Sequence, residues 1–246
     1  MRRTLVAGNW KMNASLDSTR GLLTGLTAAG SQNCDVAVFP PFPYLALAAE
    51  LLQDSGIALG AQNCSDEDSG AFTGEVSASM LVDTGCSMGL VGHSERRALY
   101  GETDYTVLAK TRKLLENGMV AVVCVGETLE QRKALREETV VSEQLNLLIG
   151  ELSNADWDKV VIAYEPVWAI GTGETATPEQ AQSMHAFIRS ELKRVSGSVA
   201  EKTRVLYGGS VKAANAAELF AKPDVDGALV GGASLDINEF LKICRA

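Results

Sequence analysis

Short apolar, β-branched runs alternate along this chain with longer stretches whose apolar residues recur at helical spacing. Residues 4–7, 35–39, 57–61, 88–91, 119–125, 160–164, 204–207 and 227–230 read as strands. Between and after them, residues 15–29, 44–54, 76–84, 104–117, 128–152, 178–195, 213–221 and 237–243 read as helices. Asn117-Gly118 is a left-handed helix end, and Thr177-Pro178 is an N-cap followed by proline at the first helical position. The strands are short and continuously apolar, which suits a parallel sheet covered on both faces. No hairpin signal interrupts the order.

Strict alternation of strand and helix leaves two architectures, a doubly wound sheet and a closed eight-stranded barrel. The 246 residues divide into eight units of about 31, close to the roughly 250 residues of a (β/α)8 barrel. No linker rich in proline, glycine or serine divides the chain, so residues 1–246 are expected to form a single (β/α)8 barrel domain.

Charge narrows the partners. The formal net charge of −9 argues against nucleic acid or an anionic membrane surface as the main partner. No apolar run approaches the roughly 20 residues that span a bilayer. Gly8, Asn9 and Lys11 interrupt any export signal that Met1-Arg2-Arg3 could begin. Cys34, Cys64, Cys86, Cys124 and Cys244 are odd in number, widely spaced and without a CxxC pair, which fits free thiols in a reducing, cytoplasmic setting.

The chemistry-bearing residues fall just past the carboxyl ends of strands, the face on which barrels build active sites. Asn9 and Lys11 follow the first strand, His93, Ser94 and Glu95 the fourth, Glu165 and Pro166 the sixth. Gly208-Gly209-Ser210 follows the seventh and Gly231-Gly232 the eighth. A carboxylate withdrawn from water at a strand end, as at Glu165, suits proton abstraction, whereas the same residue on an open loop would be merely solvated. His93 can act as acid, base or hydrogen-bond donor, or be an ordinary hydrogen-bonded side chain. Lys11 is either a surface charge or a partner for an anion or developing oxyanion. Each glycine pair alone would read as a turn. Two of them before helices, after the last two strands, favour a phosphate site. Residues 166–176 form a loop with apolar side chains, including Trp168 and Ile170, which suits a lid that buries them on closing. His185, within a helix, reads as structural, and no histidine or cysteine spacing indicates a metal site.

Asn9-Trp10-Lys11, the segment Gly92-His93-Ser94-Glu95-Arg96-Arg97, residues 163–173, Tyr207-Gly208-Gly209-Ser210-Val211 and Gly231-Gly232-Ala233-Ser234 together resemble the triosephosphate isomerases, in motif order and over the full chain. The resemblance implies interconversion of dihydroxyacetone phosphate and D-glyceraldehyde 3-phosphate through an enediolate, with no cofactor because the reaction has no net redox change. It implies that Glu165 moves the proton, that neutral His93, Lys11 and Asn9 stabilise the enediolate, and that Glu95 supports Lys11 and the histidine segment. Gly171, Ser210, Gly231 and Gly232 would bind phosphate. The lid would comprise Pro166, Val167, Trp168, Ala169, Ile170, Thr172, Gly173, Glu174, Thr175 and Ala176, with Tyr207 and Ser210 holding it closed. The resemblance further implies a homodimer in which the third loop enters a partner's pocket, Thr73 nears its active site, and Glu75 pairs with Arg96 across the interface.

Two features depart from that pattern. Glu174 stands where the lid's hinge commonly carries lysine, and the third loop begins with the acidic run Cys64-Ser-Asp-Glu-Asp-Ser69. Two rival readings are a Schiff-base lyase acting through Lys11 and a barrel that binds phosphate without catalysis. The context of Lys11 offers no sign of the desolvation a nucleophilic lysine needs, and Glu165 with His93 speaks against a silent barrel.

Overall fold

The computed structural model describes residues 2–30, 32–170 and 175–246. Eight strands, β1 (Leu5–Asn9), β2 (Asp35–Phe39), β3 (Ala58–Ala61), β4 (Met88–Val91), β5 (Val120–Val125), β6 (Val160–Tyr164), β7 (Arg204–Tyr207) and β8 (Gly227–Val230), pair in sequence order. Every pairing is parallel, and β8 closes on β1 through registers such as Ala7 with Leu229. The closed barrel settles the choice that alternation alone left open.

The strand pleat sorts side chains into two cores. Leu5, Ala7, Ala37, Phe39, Met88, Leu90, Val122, Cys124, Val161, Ala163, Leu206 and Leu229 fill the barrel interior. Their alternate neighbours, among them Val6, Val38, Val123, Ile162 and Val230, face the helices in an outer core. Phe39 crosses the barrel over Gly60, where any side chain would collide with its ring. The same period of two carries the inward set one step further: Asn9 follows Ala7, and Glu165 follows Ala163. Both are buried, so the pleat itself aims them at the top of the interior.

The described helices are α1 (Leu16–Ala28), α2 (Leu45–Leu52), α3 (Ala78–Asp83), α4 (Ser94–Tyr100), α5 (Asp104–Glu116), α6 (Leu129–Lys133), α7 (Glu137–Glu151), α8 (Pro178–Leu192), α9 (Gly197–Lys202), α10 (Ala213–Phe220) and α11 (Ile237–Cys244). Side chains accept hydrogen bonds at several N-termini, including Ser15, Thr103, Thr128, Thr177 and Asp236, each worth about 1 kcal/mol. Gly118, with φ of 76°, ends α5 as expected.

Four sequence expectations need correction. Residues 128–152 are not one helix: Leu135 adopts φ of 54°, a left-handed conformation unfavourable for leucine, and the chain restarts as α7. The segment after His93 is helix α4, too short to show an apolar period. The stretch after α8 holds a second short helix, α9, capped by Ser196. Asn9 is the last residue of β1 rather than a loop residue.

His185 is packed inside, its ring edge-on to Tyr164 and its Nδ1 3.2 Å from the Asp224 carbonyl oxygen. Burial lowers its pKa to about 4, so it stays neutral and structural. All five cysteines are buried and unbridged. No described helix is long and apolar enough to cross a membrane.

Candidate active site

A cavity of about 340 Å³ opens at the carboxyl ends of the strands, lined by Asn9, Lys11, His93, Glu165, Ile170, Ser210, Gly231 and Gly232 among others. The structure thus gathers residues separated by more than two hundred positions.

Glu165 is the most constrained of them. It is 2% exposed, and its backbone fits between two strand ends where only glycine leaves room. A side chain at Gly126 would run into the Glu165 carbonyl, and one at Gly208 would stand 2.9 Å from Glu165 Cγ. The Glu165 N–H donates to the Val125 carbonyl at 2.7 Å, which fixes the turn out of β6. Its Oε1 lies 2.8 Å from His93 Nε2, and its Oε2 accepts the Ser94 backbone N–H at 2.9 Å.

His93 caps α4. Its Nδ1 accepts the Glu95 backbone N–H at 3.2 Å, so the contacts put the ring hydrogen on Nε2, facing Glu165. Protonating Nδ1 would set one donor against another at the positive end of a helix. Burial presses the pKa of His93 down, while the charge and hydrogen bond of Glu165 pull it up, with a net upward result. Burial correspondingly works to raise the Glu165 carboxyl, and His93 with the Ser94 N–H outweighs it, leaving the carboxyl low. Each shift depends on the other group remaining in contact.

Lys11 has φ of 51°, a conformation that costs on the order of 1–3 kcal/mol in a residue with a side chain. Two contacts hold it there. The Lys11 N–H donates to Asn9 Oδ1 at 3.0 Å, and Gln62 Nε2 donates to the Lys11 carbonyl at 2.9 Å and to the Phe39 carbonyl at 2.8 Å. The ammonium reaches Glu95 Oε1 at 2.6 Å, so Glu95 does sit beside both Lys11 and the histidine segment.

On the opposite wall, Gly232 has open space where a side chain would be, and one at Gly231 would meet only Lys11 Cε at 3.6 Å. The Ser234 hydroxyl and N–H both donate to the Gly231 carbonyl, at 2.6 and 2.8 Å, which fixes this turn. Asn215 Nδ2 donates to the Ser210 carbonyl at 3.1 Å. Gly209 has a different reason to be glycine: a side chain there would collide with the Tyr207 hydroxyl. Burial raises the Tyr207 phenol to about 12, with the Ala176 backbone pulling the other way.

The segment after Glu165 turns through Val167–Ala169, with Pro166 and Ala169 buried and Ile170 at the cavity. Trp168 Nε1 donates to Glu127 Oε1 at 2.8 Å, Tyr164 donates to Glu127 Oε2 at 2.9 Å, and the Arg132 guanidinium stands 5.2 Å over the Trp168 ring. Thr175 is exposed and Ala176 is buried. Gly171, Thr172, Gly173 and Glu174 lie outside the described residues.

Thr73 and Glu75 are not brought to this cavity. Both are exposed on the third loop, and Arg96 pairs within the chain with Glu102. No group of three or more potential metal ligands occurs among the described residues.

Gln62, Gly126 and Glu127 are parts of the site's framework that the sequence reading did not single out. Gln62 follows β3, and Gly126-Glu127 follows β5. The search that picked polar residues after β1, β4 and β6 would have reached them if applied to every strand end.

The chain matches the family model described as triosephosphate isomerase over residues 4–246. It is 53% identical to a triosephosphate isomerase of Herminiimonas arsenicoxydans and 55% identical to one of Cupriavidus necator, each aligned over the full length of both chains. It is 54% identical to that of Thiobacillus denitrificans, over all of this chain and 99% of the relative.

Replacing Glu165 with glutamine removes the group that pulls the His93 pKa up. The imidazole titration, followed by 15N NMR, is expected to fall below its position in the unsubstituted protein. An unchanged or higher midpoint would contradict the coupling. With the barrel, the strand-end cluster and these full-length matches together, the chain belongs to the triosephosphate isomerase family and interconverts dihydroxyacetone phosphate and D-glyceraldehyde 3-phosphate.

Proposed function

We propose that Glu165 is the base that removes the carbon-bound proton of the triose phosphate and returns it to the neighbouring carbon. The observation that carries this reading is a buried carboxylate held by two donors and two glycine backbones at the edge of the strand-end cavity. Removing a proton beside a carbonyl leaves negative charge on oxygen, and oriented donors in a water-poor site lower that barrier. Three are at hand. His93 presents Nε2–H once Glu165 turns to substrate, and the upward pull on its pKa leaves with the carboxylate. Lys11 supplies a cation. Asn9 has Oδ1 engaged by the Lys11 N–H, so its Nδ2 is the atom available to an enediolate oxygen. Glu95 orients Lys11.

The phosphate is assigned to the backbone N–H groups of Gly171, Ser210, Gly231 and Gly232. The fixed turns and open Cβ positions at Gly231 and Gly232 support this. Residues 166–176 are assigned as the lid, with Tyr207 and Ser210 as its catch. Closing it would exclude water and protect the intermediate. The proton transfer itself needs no electron carrier.

The active form is proposed to be a homodimer in the cytoplasm. A groove of about 600 Å³ beside the active site is lined by Met12, Phe42, Leu99 and Tyr100, with Met12 96% and Leu99 74% exposed. Such apolar exposure suits a partner surface, and the third loop offers exposed Phe72 next to Thr73. Glu75 would then reach the partner copy's Arg96, and Thr73 its active site. The buried free thiols suit a reducing compartment.

Shortening the base tests the first assignment. Glu165→Asp withdraws the carboxylate by one methylene and is expected to cut kcat by at least about 10²-fold while the inhibition constant of inorganic phosphate stays within about threefold. Equal turnover would end the assignment. For the assembly, Thr73→Arg is expected to yield monomers by sedimentation with reduced activity, and a fully active monomer would refute the dimer's role.

A further inference from the structure

The substrate is an anion on an acidic protein. A phosphomonoester carries about −1.5 to −2 charge near neutral pH, and the chain carries −9. The backbone N–H groups assigned to phosphate act only at contact distance. A field that reaches into solvent needs whole charges near the mouth of the cavity.

Two cationic residues line that cavity, Lys11 and Lys212. Lys11 is ion-paired with Glu95 at 2.6 Å, so from a distance the two charges largely cancel. Lys212 is exposed and forms no ion pair among the described residues. Glu239, whose Oε1 accepts the N–H of the adjacent Ala213 at 2.8 Å, is not ion-paired with Lys212. The loop is also held in place. The Lys212 N–H donates to Asn215 Oδ1 at 2.8 Å, while the same amide's Nδ2 holds the Ser210 carbonyl. One side chain therefore ties the lysine's backbone to a residue assigned to phosphate.

We propose that Lys212 is a substrate-gathering residue, whose exposed charge, held in no ion pair at the phosphate end of the cavity, draws the triose phosphate dianion in without touching the reacting atoms. The inference rests on the assignment of this cavity as the substrate site. Its signature is a dependence on ionic strength, because screening shortens the reach of a charge from about 30 Å at 0.01 M to about 8 Å at 0.15 M.

The test compares Lys212→Gln, Lys212→Arg and Lys202→Gln with the unsubstituted enzyme. Lys202 stands just before β7, at the opposite end of the barrel from Lys212, so its loss changes net charge equally but remotely. Measured are kcat, kcat/KM for glyceraldehyde 3-phosphate and the inhibition constant of inorganic phosphate, between about 0.01 and about 0.3 M ionic strength. Lys212→Gln is expected to lose about three- to tenfold in kcat/KM and phosphate affinity at low ionic strength, shrinking to under about twofold at high. Its kcat should hold, and Lys212→Arg and Lys202→Gln should track the unsubstituted enzyme. No deficit, a deficit independent of ionic strength, or an equal deficit in Lys202→Gln would overturn the role. Failure of phosphate to compete with substrate in the unsubstituted enzyme would instead overturn the cavity assignment.

Discussion

A carboxylate almost sealed from water is expensive unless its surroundings are built for the charge. Around Glu165 they are. The His93 Nε2–H and the Ser94 N–H each meet one oxygen, while the strand ends at Gly126 and Gly208 close on its backbone and Cγ. These contacts come from β4, β5, β6 and β7, so half the barrel must be in register before this one side chain is placed. The inner core beneath it is apolar, with Ala163 two positions before Glu165 on the same face of β6. Fold and chemistry are thus tied through a single steric fit.

The same design explains how an acidic protein handles an anion. At the cavity the positive charge is placed locally, with Lys11 kept in a strained backbone by Asn9 and Gln62 and steered by Glu95. Glu127 plays a comparable part behind the Val167–Ala169 turn, where Tyr164, Trp168 and Arg132 converge on a fully buried carboxylate. Both arrangements turn a costly element, strain in one case and buried charge in the other, into a fixed position for a neighbour.

Much of this is legible in the sequence because the barrel is periodic. The strand pleat and the alternation of strand with helix locate every strand and put Asn9, His93 and Glu165 on one face. Where the reading failed, the cause was local. Leu135 breaks a helix through a backbone conformation that helical periodicity does not encode. Helix α4 is too short for a period to show. Gly126 draws no reading and Gly208 reads as part of a phosphate loop, and only the packed structure reveals that both make room for Glu165. Gln62 acts through the backbone of a residue fifty-one positions away, a relation with no trace in local pattern.

The steric fit around Glu165 can be probed without altering any reacting group. Gly208→Ala places a methyl against Glu165 Cγ at a distance, 2.9 Å, that the side chain cannot tolerate without moving. With circular dichroism unchanged and phosphate inhibition within about threefold, kcat is expected to fall by about 10²-fold, the scale of a displacement of about 1 Å. A correctly folded Gly208→Ala enzyme with undiminished kcat would contradict the claim that backbone packing at this slot positions the base.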